Sequence, residues 1–152
     1  MTLLYVTLEQ AVETHAKTVE ISGGGSIGHL DIGQLGSCLE QIQNNDYYPT
    51  FEEKLSHIFF CANKFHCFAD GNKRIAISIG AQFLLFNGYL SVVKRFIVEM
   101  ENISYHLAAG LIEKDFLLEI ITAIINDDID DEVIKLKIFH AISQNLENNG
   151  FE

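Results

Sequence analysis

The chain has 152 residues, 48% of them apolar, and carries 10 Lys and Arg against 21 Asp and Glu for a formal charge of -11. That is the length of one domain with enough apolar material for a real core, and the acidic excess excludes a general binder of nucleic acid or of anionic membrane, both of which recruit Lys and Arg. Three cysteines, Cys38, Cys61 and Cys67, form no C-x-x-C pair, and no leader of charged, apolar and cleavage segments is present, which points to a reducing, cytoplasmic setting.

Thr7 and Gln10 form a capping box, and Leu8, Ala11, Val12, His15 and Val19 recur at helical spacing, which predicts a first helix over 8–20. Ser22-Gly23-Gly24-Gly25-Ser26 ends it. No G-K-[ST] follows and no alternating strand precedes, so these glycines read as a helix connector rather than a phosphate cradle. Ile32, Leu35, Leu39 and Ile42 predict a second helix over 31–43, ended by the turn formers Asn44 to Pro49, which leave room for one short β-hairpin over 44–50.

Thr50 and Glu53 make another capping box, and Phe51, Leu55, Ile58, Phe59 and Ala62 carry a third helix to His66. The pattern resumes after Asn72 through Ile75, Ala76, Ile79, Phe83 and Phe86 and stops at Asn87-Gly88. This apolar stretch is broken by Ser78, Gly80 and Gln82 and is far shorter than the roughly 18 to 20 residues of a membrane span, so it reads as a buried helix. Leu90 to Val93 is expected to be briefly extended, with helices over 97–109 and 115–125 after it. Asp127, Asp128, Asp130, Asp131 and Glu132 suit a linker and the positive N-terminal end of a last helix over 131–146. With no fixed repeat, no sustained heptads and no set of alternating strands, the class is all-α.

Between the third and fourth helices stands His66-Cys67-Phe68-Ala69-Asp70-Gly71-Asn72-Lys73-Arg74. An anion at a helix N-terminus meets free N–H groups and the positive end of the helix dipole, and here Lys73 and Arg74 occupy that first turn, where cations are unfavourable to the helix itself. An external anion is the natural reason for them. Gly71 permits close backbone approach, and Asp70 supplies the oxygen ligand that Mg²⁺ accepts beside nucleotide phosphates. His66 can take a proton near neutral pH and so activate a hydroxyl, while Phe68 should hold the loop to the core. Lys64 falls in the same eleven-residue stretch as the two first-turn cations. The plain alternatives are a structural histidine, a common Asp-Gly-Asn turn and a solvated Lys-Arg pair; the conjunction favours phosphate chemistry. His57 and Cys61 share a helix face at i and i+4 and with His66 and Cys67 outline a metal set, but Cys61 and Cys67 lie among aromatic residues and read more simply as small buried hydrophobes.

The nine-residue segment resembles the signature of the Fic/Doc superfamily and specifically its Doc (death-on-curing) branch, H-x-F-x-[D/N]-[A/G]-N-K-R, at every specified position. The glycine-rich connector, Tyr47-Tyr48-Pro49, the apolar helix before His66 and the stretch from Ile75 to Tyr89 fall in the family's order, so the resemblance spans roughly residues 5 to 125. It implies a compact helical catalytic domain, placed here at 1–126, with 127–152 as a C-terminal helical extension packed on it. It implies His66 as general base, Asp70 as the metal-binding or orienting carboxylate, Gly71 and Asn72 shaping an anion cradle, and Lys73 and Arg74 on the phosphates of ATP with Mg²⁺. Residues 43–49 would be the family's flap, pairing with the backbone of a protein substrate.

Fic enzymes that transfer AMP carry G-N-G-R-x-x-R; here Lys73 and Ile77 stand at the second Gly and the second Arg. The Doc-like pattern implies transfer of the γ-phosphate to a protein hydroxyl, in Doc toxins a threonine of translation elongation factor Tu, and an antitoxin partner. AMP transfer and a catalytically idle binding module are the alternatives. Ser143, Glu147 and Asn148 resemble the [S/T]-x-x-x-E-[G/N] inhibitory helix of some Fic enzymes, although the Arg that its Glu pairs with is replaced by Ile77; a packing helix or partner surface is the other reading.

Overall fold

The computed structural model describes residues 2–21, 28, 31–65 and 72–148, the side chains of 145–148 excepted. The described residues form seven helices: α1 (Leu8–Ile21), α2 (Ile32–Gln41), α3 (Phe51–Lys64), α4 (Asn72–Phe86), α5 (Leu90–Ala108), α6 (Lys114–Ile125) and α7 (Glu132–Asn148). No strand occurs among them. None of these helices is long and apolar enough to cross a membrane.

The centre is α3 against α4. α2 and α6 pack on α3, α1 packs on α4, and α5 touches both central helices and α6. α3 starts where Thr50 is extended (φ -108°, ψ 156°) and its Oγ1 accepts from the Glu53 N–H at 3.1 Å, with Glu52 and Glu53 at the positive end of the helix dipole. The Thr7–Gln10 box forms as well, Gln10 N–H to Thr7 Oγ1 at 3.1 Å and Thr7 N–H to Gln10 Oε1 at 2.9 Å. Both helices are fixed at their first turn before any tertiary contact is counted.

Leu55, Ile58, Phe59, Ile75, Ile79, Phe83 and Phe96 are fully enclosed and form the core between α3, α4 and α5. At Gly80 the Phe96 ring of α5 lies against the backbone of α4: a Cβ there would be 2.7 Å from Phe96 Cζ. Gly88, at φ +82°, ends α4 in the left-handed region, with Tyr89 N–H returning to Leu84 O at 3.0 Å.

Two local expectations are corrected. The segment 42–49 is not a β-hairpin; it is a chain of turns between α2 and α3. Asn44 Oδ1 accepts from Asp46 N–H at 2.9 Å and Asn44 O from Tyr48 N–H at 3.0 Å, so the segment closes on itself instead of offering a ladder. The fully buried Lys54 of α3 draws it inward, its Nζ donating to Ile42 O and, at 2.7 Å, to Asn45 Oδ1. The second correction concerns Leu90 to Val93, which are helical as the first turn of α5. Val92 and Val93 pack against the core, and that packing outweighs the β preference of the branched side chains.

α7 differs in kind. It contributes no buried residue among its described side chains; Ile134 and Ile138 are half-buried against the core, while Val133, Leu136 and Phe139 are exposed. Open grooves flank it, one of about 520 Å³ beside α6 and one of about 320 Å³ beside α5.

Candidate functional site

His66, Cys67, Phe68, Asp70 and Gly71 lie outside the described residues, as do the side chains of Glu147 and Asn148. What surrounds the motif is described, and it is a frame. α3 ends at Lys64 and α4 begins at Asn72, so the interval that carries His66 to Gly71 runs from the C-terminus of one core helix to the N-terminus of another.

The frame is fastened by α5. Asn63 Nδ2 donates to Ser104 O at 2.9 Å and to Ser104 Oγ at 2.8 Å, and Ser104 Oγ donates in turn to Lys73 O at 2.8 Å. One hydroxyl therefore links the last turn of α3 to the first turn of α4. Both side chains are buried, where a lost partner costs more than it would in water. Lys64 Nζ donates to Leu107 O at 2.9 Å, capping the negative end of α5. Lys64 is thus a helix-end contact, unlike the other two cations of its stretch.

Lys73 and Arg74 are exposed in the first turn of α4, which holds no acidic residue. No ion pair to either is found among the described residues. Asn72 is half-buried at the helix start. The first turn of α4 thus places two exposed cations at the positive end of a helix dipole, where a helix by itself favours acidic residues. Ile77, one turn on, is half-buried and packs against the core. The large groove between α6 and α7 contains none of these residues.

A second cluster lies between α2, α3 and α6. Cys38, His57 and Cys61 are buried, and their ligating atoms fall within 4.8 Å of one another. His57 Nε2 is 3.0 Å from Gln41 Oε1, 3.2 Å from Tyr48 Oη and 3.6 Å from Cys61 Sγ, and the Tyr48 ring stacks on the imidazole at 4.5 Å. Lys114 Nζ lies 3.1 Å from Nδ1. An ammonium can only donate, so Nδ1 accepts and the ring proton sits on Nε2, facing Gln41. The Cys38 thiol is held below the ordinary thiol range, first by its hydrogen bond with Cys61 and then, against burial, by His57 and the Lys114 charge. Burial, then the charge of the two thiols, pushes Tyr48 up.

Sequence pattern alone pairs His57 with Cys61 at i and i+4 and misses Cys38, which comes from another helix. For Ser104 and Asn63 its one signal is a polar residue on a buried helix face, which does not say what the residue bonds to.

A family model described as "Fic: Fic/DOC family" matches residues 5–84, just over half of the chain, an interval that runs from α1 through most of α4. No curated protein and no solved structure matches the chain.

Proposed function

The chain belongs to the Fic/DOC family, and from that premise we propose that it is a Doc-like protein phosphotransferase that moves the γ-phosphate of ATP to a hydroxyl of a protein substrate. Family membership is consistent with nucleotide-dependent transfer in general. The observation that carries the finer reading is the first turn of α4: Lys73 and Arg74 stand exposed and without an ion pair among the described residues, while Ile77 is turned into packing. AMP-transferring relatives have glycine and arginine at positions 73 and 77. A lysine in place of the first adds a charge for terminal phosphates, and an isoleucine in place of the second removes the cation that would hold the nucleotide for attack at the α-phosphorus.

In this reading His66 accepts the proton of the attacking hydroxyl, and Lys73 and Arg74 bind the phosphates and neutralise charge as it builds on the transferred group. The N–H groups at the start of α4, opened by Gly71 and Asn72, complete the cradle. Mg²⁺ bound with ATP would supply further neutralisation, with Asp70 as its protein ligand. The Ser104 contacts hold the helix ends on which these groups are mounted, which is what positioning catalysis requires. A toxin acting on translation, with elongation factor Tu as substrate and an antitoxin partner, is the setting this chemistry suggests.

The test is cell extract incubated with the protein and ATP labelled at the α or the γ phosphate, with a His66→Ala control. Label from γ alone supports phosphotransfer. Label from α would replace it with AMP transfer, and His66-independent labelling or none would leave an idle binding module.

A further inference from the structure

We propose that Cys38, His57 and Cys61 form a zinc site that ties α2 to α3, independent of the motif at 66–74 and of the transfer chemistry assigned to it. The donor set is two thiolates and one imidazole, soft and borderline ligands that suit a d¹⁰ cation and not Mg²⁺ or Ca²⁺. With Zn–S near 2.3 Å and Zn–N near 2.05 Å, two ligands of a tetrahedral centre lie about 3.5 to 3.8 Å apart. Cys61 Sγ and His57 Nε2 already stand at 3.6 Å, and one ligand atom from each of the three residues lies within 4.8 Å of the other two. Closure needs a shift of about 1 Å at the widest pair, within the reach of a side-chain adjustment.

The fourth direction is also supplied. Gln41 Oε1 and Tyr48 Oη converge on Nε2 at 3.0 and 3.2 Å, so an oxygen or a water held by them would complete the tetrahedron. Access runs through a pocket of about 150 Å³ lined by Tyr48, His57 and Lys114 among others. Cys38, His57 and Cys61 are 2%, 7% and 0% exposed, so a bound ion would be shielded from competing water.

Lys114 gives the site a built-in rival. Its ammonium donates to Nδ1, which places the ring proton on Nε2, the atom the metal needs. Zinc binding must move that proton to Nδ1, and an N–H there repels the ammonium. Lys114 is exposed and can swing away, so loading exchanges one cation for another and releases protons from the thiols. A side chain that accepts from Nδ1–H, as the outer partners of metal-bound histidines commonly do, would favour the loaded form.

The experiment takes the full chain, reduced and stripped with a chelator, and titrates it with Zn²⁺ and, for optical readout, with Co²⁺. One equivalent is expected to bind, to raise the Tm, and with Co²⁺ to give thiolate-to-metal charge-transfer absorption and tetrahedral d–d bands. Cys38→Ser and Cys61→Ser should each lose the bands, whereas Cys67→Ser and His66→Ala should keep them. Lys114→Gln should bind about tenfold tighter. If Cys38→Ser or Cys61→Ser fails to fold by circular dichroism, the charge-transfer intensity of the unaltered protein still counts its thiolates, and a value for fewer than two overturns the site. So do the absence of stoichiometric binding, bands that persist in both folded serine variants, bands lost in Cys67→Ser or His66→Ala, and weaker binding by Lys114→Gln.

Discussion

The α3–α4 frame and α7 are built from similar sequence, apolar residues at helical spacing, and yet the protein treats them in opposite ways. In the frame most large apolar side chains are buried, Asn63 and Ser104 are tied to each other across helices, and Lys54 is tied to the turn segment after α2. On α7 the stripe is thin. Ile134 and Ile138 reach the core, Val133, Leu136 and Phe139 face outward, and the polar contacts are surface ion pairs such as Lys137–Glu119 at 2.8 Å. A hydrophobic period announces a helix in both places, but whether that helix founds the fold or leans on it is decided by what the other faces meet.

The contrast can be broken most sharply at Phe59, which is fully buried and meets Phe96 edge to face with centroids 6.1 Å apart. Phe59→Ala is expected to cost about 3–5 kcal/mol in denaturant unfolding. Ser104→Ala comes next, at about 1–3 kcal/mol, since it removes an acceptor from Asn63 and a donor from Lys73 O. It should also lower His66-dependent transfer, because the helix ends beside the motif lose their common tie; unchanged transfer would reduce Ser104 to a packing role.

Deleting 132–152 removes the whole of α7 and is still expected to cost about 1–2 kcal/mol, the share of two half-buried isoleucines, with unfolding remaining cooperative. Transfer should be unchanged, because Ile77 offers Glu147 no charge to pair with. A rise on deletion would instead make the tail an obstruction relieved by its removal.

The smallest effect belongs to Asp130 at the foot of α7. Its carboxyl is held below the usual carboxylate range, first by the Arg95 hydrogen bond and then by Lys135. A folded pKa below the unfolded one stabilises above the unfolded value and loses that stability as pH falls through the folded value. The Asp130 side chain is 65% exposed and that of Arg95 37%, so water screens the pair. Asp130→Asn should therefore lower the Tm only slightly at neutral pH, and that small difference should disappear in acid, below the ordinary carboxylate range, where the unaltered carboxyl is protonated as well.

Much of this was legible in the residues. Thr7–Gln10 and Thr50–Glu53 name two helix starts because a capping box is local chemistry, and Asn87-Gly88 names a stop because φ > 0 favours glycine. The placement of Lys73 and Arg74 in the first turn of α4 was legible for the same reason, and it is conspicuous because a cation there breaks a local rule. The hairpin expected over 44–50 failed because turn-forming residues specify a reversal but not the partners of its flanks, and those were settled by Lys54 from α3. Cys38 beside His57, and Ser104 between Asn63 and Lys73, join residues 19 and 31 to 41 positions apart, and no spacing within one helix encodes that.

The Ser104 hydroxyl has one more consequence. By joining Asn63 to Lys73 it turns the interval between them into a cassette whose two sockets are set by a third helix. Anything that moves α5 along its axis therefore moves both ends of that interval together.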